Sequence, residues 1–185
     1  MSNPLWAPWR IEYILAPKDR GACIFCGIQG ASEEEGRDRL VVAVTGRAFV
    51  MLNRYPFAAG HLLVIPHAHA SSLDALNPAD HDALFRLVRE SATRLRAAVR
   101  CEGLNVGMNI GEVAGAGVAA HLHVHLVPRW SGDTNFMPVL ADTRVVPQAL
   151  EATRAHLQRF FEDLPAALVD GAAGGGAAPA GETPS

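Results

Sequence analysis

The chain's 185 residues carry 16 lysines and arginines against 19 acidic side chains, so no basic field advertises a groove for a nucleic-acid polymer. No apolar run approaches the ~20 residues that span a bilayer, and Met1 to Trp6 has neither the basic nor the apolar region of a secretory leader. The expectation is one cytoplasmic domain with a sizeable core, engaging neither membrane nor nucleic-acid polymer.

In chain order, residues 1–22 carry Trp6, Trp9 and Tyr13 among the prolines Pro4 and Pro8. They read as an aromatic arm that packs on the body or on a second subunit. Cys23-Ile24-Phe25-Cys26 is a C-x-x-C knuckle, and Cys101 stands alone. In a reducing cytosol such a pair points to metal or redox chemistry rather than a structural disulfide. Gln29 to Asp38 is polar and acidic, and is read as an exposed loop. Leu40 to Val44 and Ala48 to Leu52 are β-rich runs around Thr45-Gly46-Arg47, which predicts a hairpin. A turn over Asn53 to Gly60 precedes a third strand, His61 to Ile65, ended by Pro66, with His67 and His69 beyond it. Asn77-Pro78 opens a helix with a cap and a proline at its first position. Its core face runs through Leu84, Leu87, Val88, Ser91, Leu95 and Val99, and it stops at Glu102-Gly103. Leu104 to Ile110 is a fourth strand, and Gly111 to Val118 is a loop of small residues. After a polar stretch from Ser131 to Asn135, Pro147 to Phe161 repeats a helical face. From about Pro165 the chain is rich in Ala, Gly and Pro and is expected to be disordered. The organisation expected is an arm (1–22), a domain (23–164) and a tail (165–185).

The informative stretch is His121-Leu122-His123-Val124-His125-Leu126-Val127. Alternation places three imidazoles on one face of a strand and Leu122, Val124 and Leu126 on the other. A helix would scatter the histidines by roughly 200° per step. Stacking three such rings on one face for packing alone would strand polar nitrogens. Two chemistries remain open. The rings could ligate a catalytic metal, although such sites usually add a carboxylate and none lies near this motif. Alternatively, a neutral imidazole could attack phosphorus while a neighbouring ring donates to the phosphoryl oxygens. Glycines so close to the motif let backbone amides approach an anion.

The same seven residues match the H-φ-H-φ-H-φ-φ signature of the histidine-triad (HIT) family. The segment from Asn53-Arg54 to Gly60-His61-Leu62-Leu63-Val64-Ile65-Pro66 resembles that family's upstream strand, and Asn109-Ile110-Gly111-Glu112 its pre-triad loop. The resemblance implies an α+β fold: an antiparallel sheet of about five strands, one long helix and a C-terminal helix. It also implies a homodimer, its interface formed by the 78–100 helix and the adjoining strand, that binds purine nucleotides and attacks at the α-phosphate. Carried over, His123 is the nucleophile, His125 contacts phosphate and helps the leaving group, and His121 and His61 support the ring. Asn53 takes the ribose position, while Phe49 and Leu52 line the base pocket or belong to the core. A structural zinc would sit on Cys23, Cys26, His69 and His121, with no catalytic metal required. Relatives often carry Gln and Ser/Thr before the triad. Here Gly115-Ala116-Gly117-Val118-Ala119-Ala120 stands instead, so phosphate must be met by backbone amides of Gly115, Ala116, Gly117 and Val118, or from elsewhere. Trp6-Ala7-Pro8-Trp9-Arg10 and the run from Pro128 through Trp130 to Pro138 resemble a subgroup near bacterial diadenosine tetraphosphate phosphorylases. On that resemblance Trp130 joins the candidate substrate contacts and orthophosphate is the acceptor; Arg129 and the Ser131–Asn135 loop follow the triad closely enough to offer phosphate donors, Arg129 otherwise being an ordinary surface charge. The alternatives are a hydrolase using water, a phosphoramidate or AMP-conjugate hydrolase, or a nucleotide-binding regulator.

Overall fold

The computed structural model describes residues 23–133, 149–164 and Leu168. The aromatic arm, Thr134-Asn135 and all of the expected disordered tail except Leu168 lie outside the described residues. Five strands form one antiparallel sheet: β1 (Val41–Val44), β2 (Ala48–Leu52), β3 (Leu62–Pro66), β4 (Gly103–Gly107) and β5 (Val124–Arg129). Their spatial order is β1-β2-β3-β5-β4. The helices are α1 (Glu33–Asp38), α2 (Pro78–Val99) and α3 (Leu150–Gln158). This is the α+β architecture expected, with the hairpin β1–β2 in place.

Alternation along each strand sorts the sheet into two unlike faces. One face offers Ala48, Val50, Leu52, Leu62, Val64, Val124 and Leu126 to the helices, and joins Leu84, Leu87, Leu95 and Leu157 in the main core. The other carries Val41, Phe49, Leu63 and Ile65, covered by Phe25 and Ile28 from the C-x-x-C segment. Helix α2 starts as its sequence dictates: the Asn77 side chain accepts from the Asp80 amide at 2.9 Å, and Pro78 opens the first turn. It ends at Val99, before the expected stop, because Arg100 turns into the left-handed region at φ 49°. Gly60 must also turn left-handed, at φ +81°, and a Cβ there would lie 3.3 Å from Val99 Cγ1. That close approach seats the residue just before His61 against the helix.

Three local expectations are corrected. The segment 29–38 is not a plain loop, since Glu33–Asp38 is helical under a capping box. Ser32 Oγ accepts from the Glu35 amide at 3.2 Å, and Glu35 accepts from the Ser32 amide at 2.8 Å. The fourth strand ends at Gly107 rather than Ile110. The fifth begins only at Val124, so His121 and His123 precede it. The register pairs Val64 with Val124, and continuing it would set Leu122 opposite Pro66. Proline has no N–H to donate, so the ladder stops there. The Leu122 amide also donates elsewhere, to the Ala70 carbonyl at 2.7 Å. Among the described residues no helix is long and apolar enough to cross a membrane.

Candidate functional site

Although the ladder ends, alternation persists through the histidines: Leu122, Val124 and Leu126 are buried on the helix side, and the imidazoles turn to the other. Leu63 lies opposite His125 in the register, so His61, two residues earlier on the same face, is a diagonal neighbour. The His61 and His125 rings stand 5.1 Å apart, and His123 and His125 stand 5.0 Å apart. On the far side of His125 the register places Gly107, whose missing side chain leaves open space.

Backbone groups decide where the protons sit. The Phe57 amide donates to His61 Nδ1 at 3.1 Å, so the His61 proton is on Nε2. That Nε2–H faces His125 Nδ1 at 2.9 Å, which places the His125 proton on its own Nε2. His123 is held the opposite way, its Nδ1–H donating to the His121 carbonyl at 2.9 Å. Its Nε2 therefore carries a lone pair. Burial pushes the His123 pKa down, against the opposing pull of that hydrogen bond. Two adjacent neutral rings thus have complementary outward nitrogens, one a lone pair and one a proton. Asn53 lies beside this relay, with Nδ2 3.5 Å from His61 Nδ1 and Oδ1 accepting from the Tyr55 amide at 2.9 Å.

His121 meets His123 through its carbonyl, while its ring takes no part in that relay. Its Nε2 donates to the Pro66 carbonyl at 2.9 Å, and its Nδ1 turns to the cysteines. Cys23 Sγ is 3.3 Å from His121 Nδ1, and Cys26 Sγ is 3.3 Å from His69 Nδ1. One donor atom from each of Cys23, Cys26, His69 and His121 lies within 4.8 Å of all the others. The two 3.3 Å separations are those of the edges of a tetrahedron with metal–ligand bonds of about 2.0–2.3 Å, and the wider ones need only a small inward shift. The donor set fits a metal, and the Pro66 carbonyl is the outer partner a ligating histidine requires. Arg39 braces the knuckle by donating to the Ile24 carbonyl and, at 3.0 Å, to that of Cys26. Burial and the adjacent Cys23 raise the Cys26 pKa, with Arg39 opposing.

Before the triad, the amides of Gly115 and Ala116 are used inside their own loop, donating to the carbonyls of Glu112 at 2.9 Å and Gly111 at 3.3 Å. The amides of Gly117, Val118, Ala119 and Ala120 make no hydrogen bond among the described residues. Of the four amides expected to meet phosphate, those of Gly115 and Ala116 are thus engaged in their own turn. Arg129 and Trp130 are not brought to the triad within this chain. Arg129 is held by both carboxylate oxygens of Asp133, at 2.6 and 2.8 Å, and by Asn105 at 3.0 Å. The Trp130 indole donates to the Arg100 carbonyl at 3.2 Å, roughly 16 Å along an extended strand from His125. Ser131 donates to Glu102, which occupies the adjoining loop likewise. Leu52 faces the helix-side core and cannot line the site. Phe49 is on the site face, fully buried and stacked on His67 at 5.4 Å.

Sequence reasoning missed Phe25. It is buried beneath the triad, with ring centroids 5.3 Å from His123 and 5.6 Å from His121. Its signal was an aromatic between two cysteines. Pro66 and Phe57 were also missed, because both act through backbone groups that no residue type announces.

With this geometry in hand, residues 35–132 match the HIT domain. The chain belongs to the HIT family. It is 39% identical over 158 residues to the AP-4-A phosphorylase of Mycobacterium tuberculosis (strain H37Rv), covering 81% of this chain and 80% of that protein. A histidine triad nucleotide-binding protein from Sulfolobus tokodaii has the same fold at TM-score 0.60 and 26% identity, covering 76% of this chain and 92% of that one. A zinc-bound histidine triad protein from Mycobacterium smegmatis matches at TM-score 0.59 and 25% identity, over 75% of this chain and 92% of its own.

The proton assignment is directly measurable. In nitrogen-15 spectra at neutral pH, His125 is expected to show the Nε2–H tautomer and His123 the Nδ1–H tautomer. His61→Ala removes the donor to His125 Nδ1, and His125 should shift to a mixture of tautomers while His123 keeps its own. A His125 pattern unmoved by the substitution contradicts the relay.

Proposed function

We propose that this HIT-family enzyme cleaves a dinucleoside polyphosphate, diadenosine tetraphosphate foremost, at the α-phosphate through a nucleotidyl-His123 intermediate. Orthophosphate is the proposed acceptor. The observation that carries the reading is the complementary pair of ring nitrogens, a lone pair on His123 Nε2 beside a proton on His125 Nε2. The substrate is supported by the similarity to the mycobacterial AP-4-A phosphorylase.

In the first step the His123 Nε2 lone pair bonds to the α-phosphorus, and the bond from phosphorus to the bridging oxygen breaks. The electron pair leaves with that oxygen as ATP, and His125 Nε2–H donates to it as its charge develops. His123 becomes a cationic phosphoramidate, and the His121 carbonyl, already accepting from Nδ1–H, stabilises that charge. The amides of Gly117 to Ala120 receive the α-phosphoryl oxygens. In the second step an orthophosphate oxygen attacks phosphorus, the P–N bond breaks, and ADP leaves with His123 restored. Phosphate must compete with about 55 M water, so it needs fixed donors that water does not profit from equally. Four consecutive amides offer more donors than one phosphoryl group uses. Asn53, next to the relay, is the ribose contact in this reading, and Phe49 forms the floor under the nucleoside.

Zinc is the proposed ion for the Cys23/Cys26/His69/His121 cluster. When bound it supplies a closed tetrahedral cross-link, without an open position for substrate. We also infer a homodimer that joins edge strands β4, where Val106 is 52% exposed and Phe85 of α2 stands 39% exposed.

His123→Ala should abolish turnover while leaving nucleotide binding within a few-fold, and the wild type should yield an acid-labile, base-stable nucleotide adduct on His123. Adding orthophosphate should raise the rate and give ATP and ADP. An unchanged rate with AMP as product in both arms rejects the phosphorylase and leaves a hydrolase, and normal turnover by His123→Ala rejects the mechanism.

Metal analysis should find about one zinc per chain, and Cys26→Ser or chelation should remove it and lower the melting temperature. Well under one zinc per chain with no change on chelation refutes the ion. Sedimentation at micromolar concentration should give twice the chain mass, with Val106→Glu shifting it towards the monomer. A wild-type monomer contradicts the dimer.

A further inference from the structure

The C-x-x-C knuckle reaches past the cysteines into the chemistry. Phe25, its second interior residue, is 4% exposed and turned under the histidines. Its ring meets His121 edge-on, at 87° and 5.6 Å, and His123 at a 54° tilt and 5.3 Å. One aromatic side chain thus touches a donor of the metal cluster and the ring with the outward lone pair.

A hydrogen bond from Nδ1–H to the His121 carbonyl fixes which nitrogen carries the proton. It leaves the ring free to swing about that bond, and a swing redirects Nε2. What stops a swing is contact on the sides of the ring. His125 supplies one side, at 67° and 5.0 Å. Phe25 supplies a second contact, at 54° and 5.3 Å. Phe25 itself is held by a turn with three restraints: the Cys26 amide on the Cys23 carbonyl at 3.1 Å, Arg39 on the carbonyls of Ile24 and Cys26, and the cysteines in their cluster with His69 and His121.

We propose that Phe25 is a positioning residue for His123, transmitting the closed state of the Cys23/Cys26/His69/His121 cluster to the direction of the His123 Nε2 lone pair. The proposal deepens the reading of His123 as nucleophile and rests on it. It makes the metal knuckle a support of the reaction without placing any reacting atom on the metal. The same displacement follows whether the ring of Phe25 is removed or the knuckle beneath it is opened.

The test uses the full chain loaded with zinc, as wild type, Phe25→Ala and Phe25→Leu. Zinc content, kcat and KM are measured with diadenosine tetraphosphate and with an adenosine phosphate ester of an activated phenol. The line shapes of the His123 ring resonances are recorded without substrate. Phe25→Ala should keep its zinc and lower kcat roughly 10- to 100-fold on both substrates with KM nearly constant, as expected for a misaimed group. The His123 resonances should broaden as the ring samples several orientations, and Phe25→Leu should recover part of both. Chelation of the wild type should broaden the same resonances. If Phe25→Ala does not fold, Phe25→Leu carries the comparison. A rise in KM with kcat unchanged overturns the proposal and makes Phe25 a wall of the nucleoside pocket. A fall in kcat that tracks lost zinc, or unchanged His123 line shapes, overturns it too. Failure of wild-type turnover on both substrates would instead count against the nucleotidyl-transfer reading, while the line shapes still decide what Phe25 holds.

Discussion

Pro66 has no N–H to give, and the chain opposite it is free of the sheet at the one place where the site needs that freedom. Had the ladder continued, the backbone around Leu122 would be committed to β3. Instead the Leu122 amide bonds Ala70, the His121 ring caps the Pro66 carbonyl, and the His121 carbonyl faces His123. Each consequence lies one bond from the last. A residue that could donate at position 66 would extend pairing and draw the two leading histidines into regular strand geometry. The strand break is therefore part of the chemistry, and a pattern that looks like one continuous element divides into two jobs.

Burying this many imidazoles on one face would be costly if their nitrogens lacked partners, at about 1–3 kcal/mol for each stranded group. The structure meets that cost with backbone groups, which cannot change protonation. The Phe57 amide, the Pro66 carbonyl and the His121 carbonyl each fix one nitrogen of one ring. Everything else follows by elimination, because a neutral imidazole has one donor and one acceptor. Desolvation acts on the same rings and favours their neutral forms, lowering the pKa values of both His121 and His123. Neutrality suits a nucleophile and a metal ligand alike. The two proposed functions could sit two residues apart because they ask the same of their histidines.

Much of this was legible in the sequence, and the failures have specific causes. Period-two alternation correctly sorted Leu122, Val124 and Leu126 from the histidines, because one-sided burial determines facing even where hydrogen bonding lapses. Asn77-Pro78 placed the start of α2 since its cap is local. The short helix α1 was missed although Ser32 and Glu35 spell a capping box, the acidic run having been taken for solvent exposure alone. Where β5 begins could not be read, since it depends on Pro66, 58 positions earlier than Val124. Within this chain Arg129 and Trp130 bond Asp133, Asn105 and the Arg100 carbonyl rather than meeting the triad, since a residue near a motif in sequence can be roughly 16 Å away along an extended chain. Gly115 and Ala116 were credited with free amides that a tight turn, between left-handed Gly111 and Gly115, uses itself.

The imbalance between the faces of the sheet bears on what a metal at the Cys23/Cys26/His69/His121 cluster would add. On the helix side, α2 and α3 bury a broad apolar surface, and each fully buried Leu there is worth about 1.5–3 kcal/mol. Among the described residues the site side has a smaller layer, Phe25, Ile28, Val41, Phe49, Leu63 and Ile65 with Cys23, Met51 and Val118 packed against it. Thickening that layer with more side chains would fill the space that a nucleotide enters. A metal held by two thiols and two imidazoles would add rigidity without adding volume, and would tie residues 23–26 to His69 and His121 across long stretches of chain. Because His121 is both a donor of that cluster and the carbonyl partner of His123, rigidity gained by a bound metal would arrive at the ring whose Nε2 lone pair the proposed reaction uses.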